Sequence, residues 1–353
     1  MKSRPGTALI FGVSGQDGAY LAELLLRRGL QVHGTSRDKE VSNYANLRQL
    51  GIYNDLTYYS VALGDFRSVI TVLKEVRPAY IFNLAAQSSV RLSFEQPVDT
   101  IDSIMHGTIN ALEAIRFLGL DSRFYNACSS ECFGNTTKEC PADETSTFRP
   151  RSPYGVGKAA SFWAVANYRE AYGLFACSGL LFNHESPLRP TRYVTQKIIR
   201  GAMKVAAGRT RTLELGGLSI ARDWGWAPEY VDAMIRILDS DRPDDFVIAT
   251  GETNTLEDFV AAAFACFKLD WREHVVINSA LLRPTDIIFS SGNPSKAERL
   301  LGWKASKKMQ DVVALLVDAE LQRFRRLSAD REDRHLEALT CAPREPKAET
   351  ISR

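Results

Sequence analysis

The sequence predicts an α/β protein built on a doubly wound parallel sheet, with a smaller C-terminal substrate-binding lobe. Three observations support this prediction. Short apolar segments alternate with amphipathic segments through the first half of the chain, a glycine-rich turn joins the first such pair, and the second half is less regular. Strands that alternate with helices form βαβ units, and right-handed crossovers wind these units into a Rossmann-type sheet.

Each predicted element rests on a local pattern. The segment TALIFG is a short apolar run, typical of a buried parallel strand, and the segment that follows it is amphipathic with a helical period. The predicted strands of the first half are 7–12, 31–36, 56–63, 79–86 and 122–130, and the predicted helices are 17–28, 66–76, 98–119 and 152–173. In the second half we expect strands at 175–183, 212–215 and 246–250, helices at 193–207 and 255–268, and a final helix after KKMQD.

Bulk composition excludes several classes of function. The 353 residues are 45% hydrophobic and 24% charged with a net charge of +2, so no charge excess indicates a nucleic-acid or membrane partner. No apolar run is long enough for a spanning helix. The six cysteines form neither a CxxC pair nor a disulfide framework. We therefore expect a cytoplasmic protein without a metal site.

A glycine-rich turn, FGVSGQDG, follows the first predicted strand and opens the first helix. Gly12 allows the tight turn, Gly15 lets the backbone approach a pyrophosphate, and Gly18 lets the helix pack closely on the strand. The start of the helix, at Gln16 and Asp17, adds N–H donors and a positive partial charge. In a βαβ series this pattern predicts a dinucleotide site. The alternative is a glycine-rich turn without a ligand.

The end of the second strand bears on the choice between NADP and NAD. An arginine there pairs with the 2′-phosphate of NADP, whereas an acidic residue holds the ribose hydroxyls of NAD. Arg37 and Asp38 lie side by side, so Arg37 favours NADP and Asp38 leaves NAD open. The remaining cofactor candidates flank the adenine, at Asp65 and Phe66, or follow the fourth strand beside the ribose and nicotinamide, at Leu84, Ala85, Ala86, Gln87 and Ser88.

Four residues around the fifth strand and the helix after it predict proton-transfer chemistry. Tyr154 and Lys158, in SPYGVGK, are four apart and so share one face of a helix. A nearby ammonium lowers the pKa of a phenol, which lets the tyrosinate act as a base. Ser129 can hydrogen-bond a substrate oxygen that becomes a carbonyl. Glu131 is the informative residue, because hydride transfer needs no carboxylate there whereas proton removal beside a new ketone does. A solvated loop carboxylate is the alternative.

The segment LFNHESPLRP places three polar residues, Asn183, His184 and Glu185, directly after an apolar strand. A metal site is disfavoured because no second ligand follows at a useful spacing such as HExxH. A contact of this segment with a ligand and a buried histidine at a strand end are the two alternatives that stay open.

Taken together, these motifs resemble the GDP-mannose 4,6-dehydratase family of extended short-chain dehydrogenases. The resemblance covers about residues 7–320 and is carried by GVSGQDGAYLAELLL, NLAAQSSV, RSPYGVGK, LFNHESP, RDWG…EYV and RPTDIIFSSGNPSKAERLLGWK. It implies that His184 and Arg189 contact the cofactor. The candidate substrate residues, in a GDP-sugar pocket, are Ser88, Ser130, Asn183, Val194, Lys197, Arg222 and Arg283.

The resemblance implies a redox-neutral elimination of water from a GDP-sugar. Tyr154 removes the proton of the 4-hydroxyl while bound NADP takes the C4 hydride, Glu131 removes the C5 proton, and water leaves from C6 before the hydride returns there. It also implies a homodimer or homotetramer. We expect residues 1–185 to form the dinucleotide-binding domain, with strands returned from about 220–250, residues 186–327 mainly the nucleotide-sugar lobe, and residues 328–353 a charged mobile tail.

The chain departs from the family pattern at several of these positions. Ser129 stands where most relatives have threonine. Leu188 stands where the family has the first of two arginines, in a loop that reaches a neighbouring subunit's cofactor. Other activities on the same scaffold stay open, namely an epimerase, a decarboxylase or a 4-keto reductase, as does a non-catalytic NADP-binding sensor.

Overall fold

The computed structural model describes the backbone of residues 2–340 and the side chains of residues 2–325. Its strands are β1 (Arg4–Phe11), β2 (Gln31–Ser36), β3 (Thr57–Ser60), β4 (Pro78–Asn83), β5 (Arg123–Ser129), β6 (Ala176–Leu181), β7 (Asn183–Glu185), β8 (Leu213–Leu215), β9 (Ala221–Trp226), β10 (Phe246–Ile248), β11 (Thr253–Thr255) and β12 (Val275–Ile277).

The α-helices lie between these strands and after the last of them. They are α1 (Gln16–Arg27), α2 (Ala45–Gln49), α3 (Phe66–Val76), α4 (Val90–Glu95), α5 (Pro97–Ile101), α6 (Gly107–Leu118), α7 (Pro153–Tyr172), α8 (Val194–Ala206), α9 (Ala227–Asp239), α10 (Leu256–Ala265), α11 (Ser295–Leu301) and α12 (Met309–Thr340). The predicted helix at 98–119 is thus continuous from α5 to α6 but passes through a π-helical turn at Asp102–His106.

The main sheet confirms the predicted fold class. Seven parallel strands lie in the order β10-β6-β5-β4-β1-β2-β3, the doubly wound arrangement in which the strand order reverses beside β1. Alternate side chains of β1 enter two separate cores. Ile10 packs with α1 and α9 on one face, and Phe11 packs with α3, α6 and α7 on the other. Both faces of the sheet are therefore covered by helices, as an all-parallel sheet requires.

The second half adds two strands, β6 and β10, to the main sheet and builds two small sheets of its own. Of the strands expected to return from about 220–250, β10 pairs with β6, whereas β9 pairs with β7 and β11 in a three-stranded sheet. The chain leaves the main sheet at Phe182, so β7 is free to take β9 as its neighbour. The short strands β7, β11 and β12 were not predicted, and β7 and β11 consist of polar residues that carry no apolar strand signal.

The C-terminal helix α12 continues to Thr340 and so includes the first part of the segment predicted as a charged tail. Residues 341–353 lie outside the described residues, and mobility of the tail stays a prediction. None of the helices in the described part of the chain is long and apolar enough to cross a membrane.

Candidate active site

The carboxyl ends of the central strands bring the predicted site residues to one edge of the sheet. Phe11 at the end of β1 pairs with Asn83 at the end of β4, and Ser129 at the end of β5 pairs with Leu181 at the end of β6. The segments that follow these four strands therefore meet above β1, β4, β5 and β6. This edge is where parallel α/β sheets bind their ligands.

The glycine turn (residues 12–18) has the form that a dinucleotide requires. Gly12 has a φ of 84°, which is unfavourable for any residue with a side chain. At Gly18 a Cβ would lie 2.4 Å from the carbonyl oxygen of Gly12, so only glycine permits the close helix–strand packing. At Gly15 the nearest atom would lie 3.4 Å away and φ is −71°.

The fold itself therefore does not require a glycine at position 15. Helix α1 begins there without a side-chain cap, which leaves its first N–H groups without a capping side chain. A bare backbone at a helix N-terminus matches a pyrophosphate. The residues present fit a dinucleotide cofactor.

Two other cofactor candidates have defined surroundings. Arg37 is exposed, and its guanidinium forms no hydrogen bond or ion pair with any residue that the structure describes. Asp38 accepts a hydrogen bond from the backbone N–H of Glu40 at 2.9 Å. The Asp65 carboxylate caps α3 by accepting from the N–H groups of Arg67 and Ser68, so its side chain is already occupied by the protein. The expected adenine contacts of Asp65 and Phe66 stay predictions.

The segment after β4, Leu84–Ser88, crosses the edge of the sheet beside the glycine turn. The backbone at Ala85 is the closest neighbour that a Cβ at Gly12 would meet, at 2.9 Å. At the other end of the segment, the Ser88 hydroxyl lies 2.8 Å from the hydroxyl of Tyr193. Gln87 turns inward and donates to the backbone carbonyl of Ser89 at 2.8 Å. This segment thus joins the glycine turn to the start of α8.

Ser129, Tyr154 and Lys158 come together as the spacing predicts. The Ser129 hydroxyl lies close enough to the Tyr154 phenol to favour its ionised form. The Lys158 Nζ lies 5.7 Å from the centre of the Tyr154 ring and donates to the backbone carbonyl of Ala127 at 2.6 Å. The hydroxyl pair and the ammonium are therefore held in fixed positions at the start of α7.

The prediction of a lowered tyrosine pKa is wrong for the protein alone. Burial raises the pKa of Tyr154 well above its usual range, and the nearby Ser129 hydroxyl offsets only part of this effect. Burial also lowers the pKa of Lys158. The desolvation penalty on the phenolate outweighs one ammonium beside the ring.

Glu131 lies inside the site and not on a solvated loop. It sits in a single 3-10 turn, Ser130–Cys132, directly after β5, and the hydroxyl of Ser129 accepts from its backbone N–H at 3.2 Å. Burial raises the pKa of the Glu131 carboxyl, while the nearby guanidiniums of Arg222 and Arg283 oppose that rise. A half-buried carboxyl with a raised pKa, near Ser129 and Tyr154, is suited to take and return a proton.

The arginine pocket (Arg222, Arg283 and Asp286) forms the far side of the site. Arg222 is only 5% exposed on β9. Its Nη2 lies 2.9 Å from Asp286 Oδ1, and Arg283 Nη1 lies 3.3 Å from the same oxygen. Both arginines were predicted to face the substrate, and the structure places them within electrostatic reach of Glu131. Paired guanidiniums suit a diphosphate.

His184 is held on both ring nitrogens by the protein. Its Nδ1 lies 2.7 Å from the Phe182 carbonyl oxygen, and its Nε2 lies 2.9 Å from the Asp17 carboxylate. Because both partners only accept hydrogen bonds, both nitrogens donate and the ring is an imidazolium. Although burial alone would lower it, the pKa of His184 is raised by Asp17. The expected cofactor contact stays a prediction, and in this arrangement it does not involve a ring nitrogen.

The rest of the LFNHESPLRP segment is packed against the protein. Arg189 donates to the His184 carbonyl at 2.9 Å, pairs with the buried Glu185 at 3.0 Å, and lies 4.0 Å from the Tyr193 ring centre. Its contact with the cofactor also stays a prediction. The remaining substrate candidates are the buried Ser130, the half-buried Asn183 and Val194, and the exposed Lys197.

Two residues at the site were missed from the sequence. Tyr193 precedes α8, bonds to Ser88 and lies close enough to Tyr154 to influence its pKa. Asp286 joins the two arginines. Of these two residues, only Asp286 could have been identified from the sequence, because it stands three residues after Arg283. An acidic group was not expected in a pocket for a diphosphate.

Comparison with known proteins gives one consistent result. A family model described as GDP-mannose 4,6 dehydratase matches residues 9–316. GDP-mannose 4,6 dehydratase 1 of Arabidopsis thaliana is 41% identical over 90% of this chain and 91% of its own length. GDP-mannose 4,6-dehydratase of Sinorhizobium fredii is 39% identical over 90% of this chain and 97% of its own length.

Solved structures resemble the chain in fold. UDP-glucose 4-epimerase of Thermus thermophilus, solved with NAD, is 26% identical with a TM-score of 0.78, and the match covers 89% of this chain and 98% of that one. A dTDP-glucose 4,6-dehydratase from Bacillus anthracis, also solved with NAD, has a TM-score of 0.77 over 90% of this chain and 96% of its own, at 17% identity.

Proposed function

The chain belongs to the GDP-mannose 4,6-dehydratase family, and we propose that it converts GDP-mannose, or a close GDP-sugar, to the GDP-4-keto-6-deoxy sugar and water. One observation carries the proposal. The half-buried Glu131 carboxyl, directly after β5, lies within electrostatic reach of Tyr154 on one hand and of Arg222 and Arg283 on the other. This is the place that a base needs when oxidation at C4 has made the C5 proton acidic.

The first step is oxidation of the sugar at C4. Ser129 bonds the 4-oxygen, and Tyr154 removes the proton of the 4-hydroxyl. A bound nicotinamide dinucleotide supplies the hydride acceptor for C4 and the hydride donor for C6. Lys158, fixed by its bond to the Ala127 carbonyl, holds a positive charge beside the phenol. Because burial raises the pKa of Tyr154, we expect proton removal to depend on that charge.

The second step is elimination across C5 and C6. Glu131 takes the C5 proton, and the electron pair forms a double bond as the C6 hydroxyl leaves with a proton. Glu131 is the group placed to give that proton, since its raised pKa lets it hold one. Reduction at C6 and protonation at C5 then restore the cofactor, so the net reaction is loss of water. Arg222 and Arg283 hold the diphosphate of the substrate.

For the cofactor we propose NADP. Arg37 supports this choice because its exposed guanidinium is free of other partners among the described residues, while the Asp38 carboxylate is turned to the Glu40 N–H. Arg37→Ala should weaken NADP⁺ binding by about tenfold or more, the value of one charge-assisted bond, and leave NAD⁺ binding unchanged. Titration of both cofactors by calorimetry measures this, and equal losses for the two would contradict the choice.

For the organisation of the chain, we propose a dinucleotide-binding domain at 1–185, a nucleotide-sugar lobe at 186–327 and a tail at 328–353. We also propose a homodimer or homotetramer. Helices α6 and α7 pack together, and both expose large apolar side chains, including Phe117 at 70% and Trp163 at 63%. Such exposure favours an interface, and light scattering of the purified chain tests it.

The test of the proposed reaction is turnover of GDP-mannose in heavy water. Mass spectrometry and proton NMR should show loss of one water, a 4-keto-6-deoxy product with solvent deuterium at C5, and no net change in reduced cofactor. Stoichiometric consumption of NADPH would indicate a reductase instead. An intact GDP-hexose of changed configuration would indicate an epimerase, and cofactor binding without turnover of any nucleotide sugar would indicate a sensor.

A further inference from the structure

Asp286 is an acidic side chain in a pocket where an anionic diphosphate is expected to bind. One of its oxygens, Oδ1, accepts a hydrogen bond from Arg222 Nη2 at 2.9 Å and from Arg283 Nη1 at 3.3 Å. The backbone N–H of Ile287 donates to the same oxygen at 2.9 Å. The Asp286 carboxylate competes with the substrate diphosphate for both guanidiniums. We therefore expect Asp286 to have a role other than substrate binding.

The backbone around Asp286 is fixed by two neighbouring segments. On one side, the N–H of Ala221 donates to the carbonyl of Ile288 at 2.7 Å. On the other side, the Thr285 hydroxyl donates to the Arg151 carbonyl at 2.6 Å, and Asn135 Oδ1 accepts from the Ile288 N–H at 2.7 Å. The carboxylate of Asp286 therefore has a defined position, and the two arginines adjust to it.

Glu131 is faced by charged or titratable groups from three parts of the chain. Arg222 comes from β9, Arg283 and Asp286 come from the loop before α11, and Tyr154 comes from α7. Among the described residues Glu131 forms no ion pair, although two guanidiniums are near it, whereas both guanidiniums pair with Asp286. The positive charge in the pocket is thus directed to Asp286 and away from Glu131.

We propose that Asp286 is a positioning residue for the dehydration proposed above, which holds Arg222 and Arg283 so that neither forms an ion pair with Glu131. The chemistry explains the need. A carboxylate clamped by arginine is a weak base and gives up any proton at once. Glu131 has to hold the C5 proton long enough to pass it to the departing hydroxyl. Asp286 keeps it able to do so, and the direction of its effect on the pKa of Glu131 is upward.

The experiment compares Asp286→Asn with the wild-type chain in two measurements. The first is carbon NMR titration of the full protein labelled at glutamate carboxyls, with the Glu131 signal assigned from Glu131→Gln. The second is the pH dependence of kcat/KM for GDP-mannose. In Asp286→Asn, Glu131 should titrate at lower pH, the acid limb should move in the same direction, and kcat at neutral pH should fall by about tenfold.

A matched control is available on helix α9. Asp232 also accepts from two arginines, Arg28 and Arg236, and Asp232→Asn should change neither measurement. An unchanged Glu131 titration in Asp286→Asn would overturn the proposal. An unchanged pH dependence of kcat/KM together with an altered affinity for GDP would also overturn it, since Asp286 would then act on nucleotide binding alone. If the wild type dehydrates no GDP-sugar, the proposed function fails, and the NMR titration still decides the role of Asp286.

Discussion

The glycine turn and the arginine pocket lie on opposite sides of one site, and the chain builds them in different ways. In the glycine turn, Gly12, Gly15 and Gly18 follow β1 within seven residues, and their tolerance is set by backbone contacts. In the arginine pocket, Arg222 meets Asp286 across 64 positions of sequence. We infer that a single added atom is enough to disturb the glycine turn, whereas the arginine pocket responds to changes in its balance of buried charge.

Glu131 carries the proposed proton transfer beside the arginine pocket, so its substitution gives the largest expected effect. Glu131→Gln keeps the size of the side chain and removes the base. Dehydration of GDP-mannose should fall by about a thousandfold, within the range attributed to one general acid–base group, and NADP⁺ binding should be unchanged. Steady-state kinetics measure the rate of dehydration, and cofactor titration measures the affinity for NADP⁺. The exposed Glu139→Gln is the control, and normal turnover of Glu131→Gln would remove the assigned base.

Two alanine substitutions sharpen the claim about the glycine turn. Gly18→Ala places a Cβ 2.4 Å from Gly12 O and 2.7 Å from Val13 Cα, both backbone atoms that cannot rotate away. The free energy of unfolding should fall by about 3 kcal/mol, a typical cost of overpacking. Gly15→Ala meets nothing closer than 3.4 Å, so its stability should stay within about 1 kcal/mol of wild type.

The same pair separates folding from cofactor binding. Gly15→Ala should bind NADP⁺ at least tenfold more weakly, because the new methyl lies where the pyrophosphate approaches the backbone. Urea denaturation and calorimetry report the two quantities on the same samples. A stable Gly18→Ala, or a Gly15→Ala with full cofactor affinity, would break the distinction between structural and ligand-facing glycines.

This difference also explains how much the sequence could predict. The main sheet, Ser129, Tyr154 and Lys158 follow from local patterns, since each residue stands at a fixed distance from a strand end. The ring contacts of His184 could not be foreseen, because they depend on Asp17, which is 167 positions away. The pairing of β9 with β7 and the bridging role of Asp286 are non-local in the same sense. The pKa of Tyr154 was mispredicted because burial does not show in a YxxxK spacing.

A stability test of the strand that carries the arginine pocket comes from Asp223, the neighbour of Arg222 on β9. Asp223 is fully buried. Its two carboxylate oxygens accept from the N–H groups of Thr250 and Gly251 at 2.9 and 2.8 Å. Asp223→Asn replaces one acceptor with a donor that faces an N–H group. The free energy of unfolding should fall by about 2 kcal/mol, the cost of a buried unsatisfied group. Denaturation curves measure it, with the exposed cap Asp270→Asn expected within about 0.5 kcal/mol of wild type. A loss no larger than that would show that the region tolerates charge changes.

The smallest effect is expected at the Asp17–His184 pair, which links the glycine turn to β7. The pKa of His184 is raised and that of Asp17 is lowered. The stabilisation that comes from the charged His184 is therefore complete below the pKa of histidine in the unfolded chain. It is lost as pH rises through the higher pKa of His184 in the folded protein. The stabilisation that comes from the charged Asp17 is complete above the pKa of aspartate in the unfolded chain. It is lost as pH falls through the lower pKa of Asp17 in the folded protein. Asp17→Asn should thus destabilise the protein most between these limits, by about 1 kcal/mol near pH 6, and less at pH 9.

Denaturation of wild type and Asp17→Asn across this pH range gives the difference directly. Proton NMR of the His184 ring should also show a lower pKa in Asp17→Asn, because the carboxylate is the group that raises it. The control is Asp38→Asn, which removes an exposed carboxylate bonded to the Glu40 N–H and leaves the His184 ring unaffected. A difference for Asp17→Asn that is independent of pH would mean that His184 is not an imidazolium. The link between the two regions would then be an ordinary hydrogen bond.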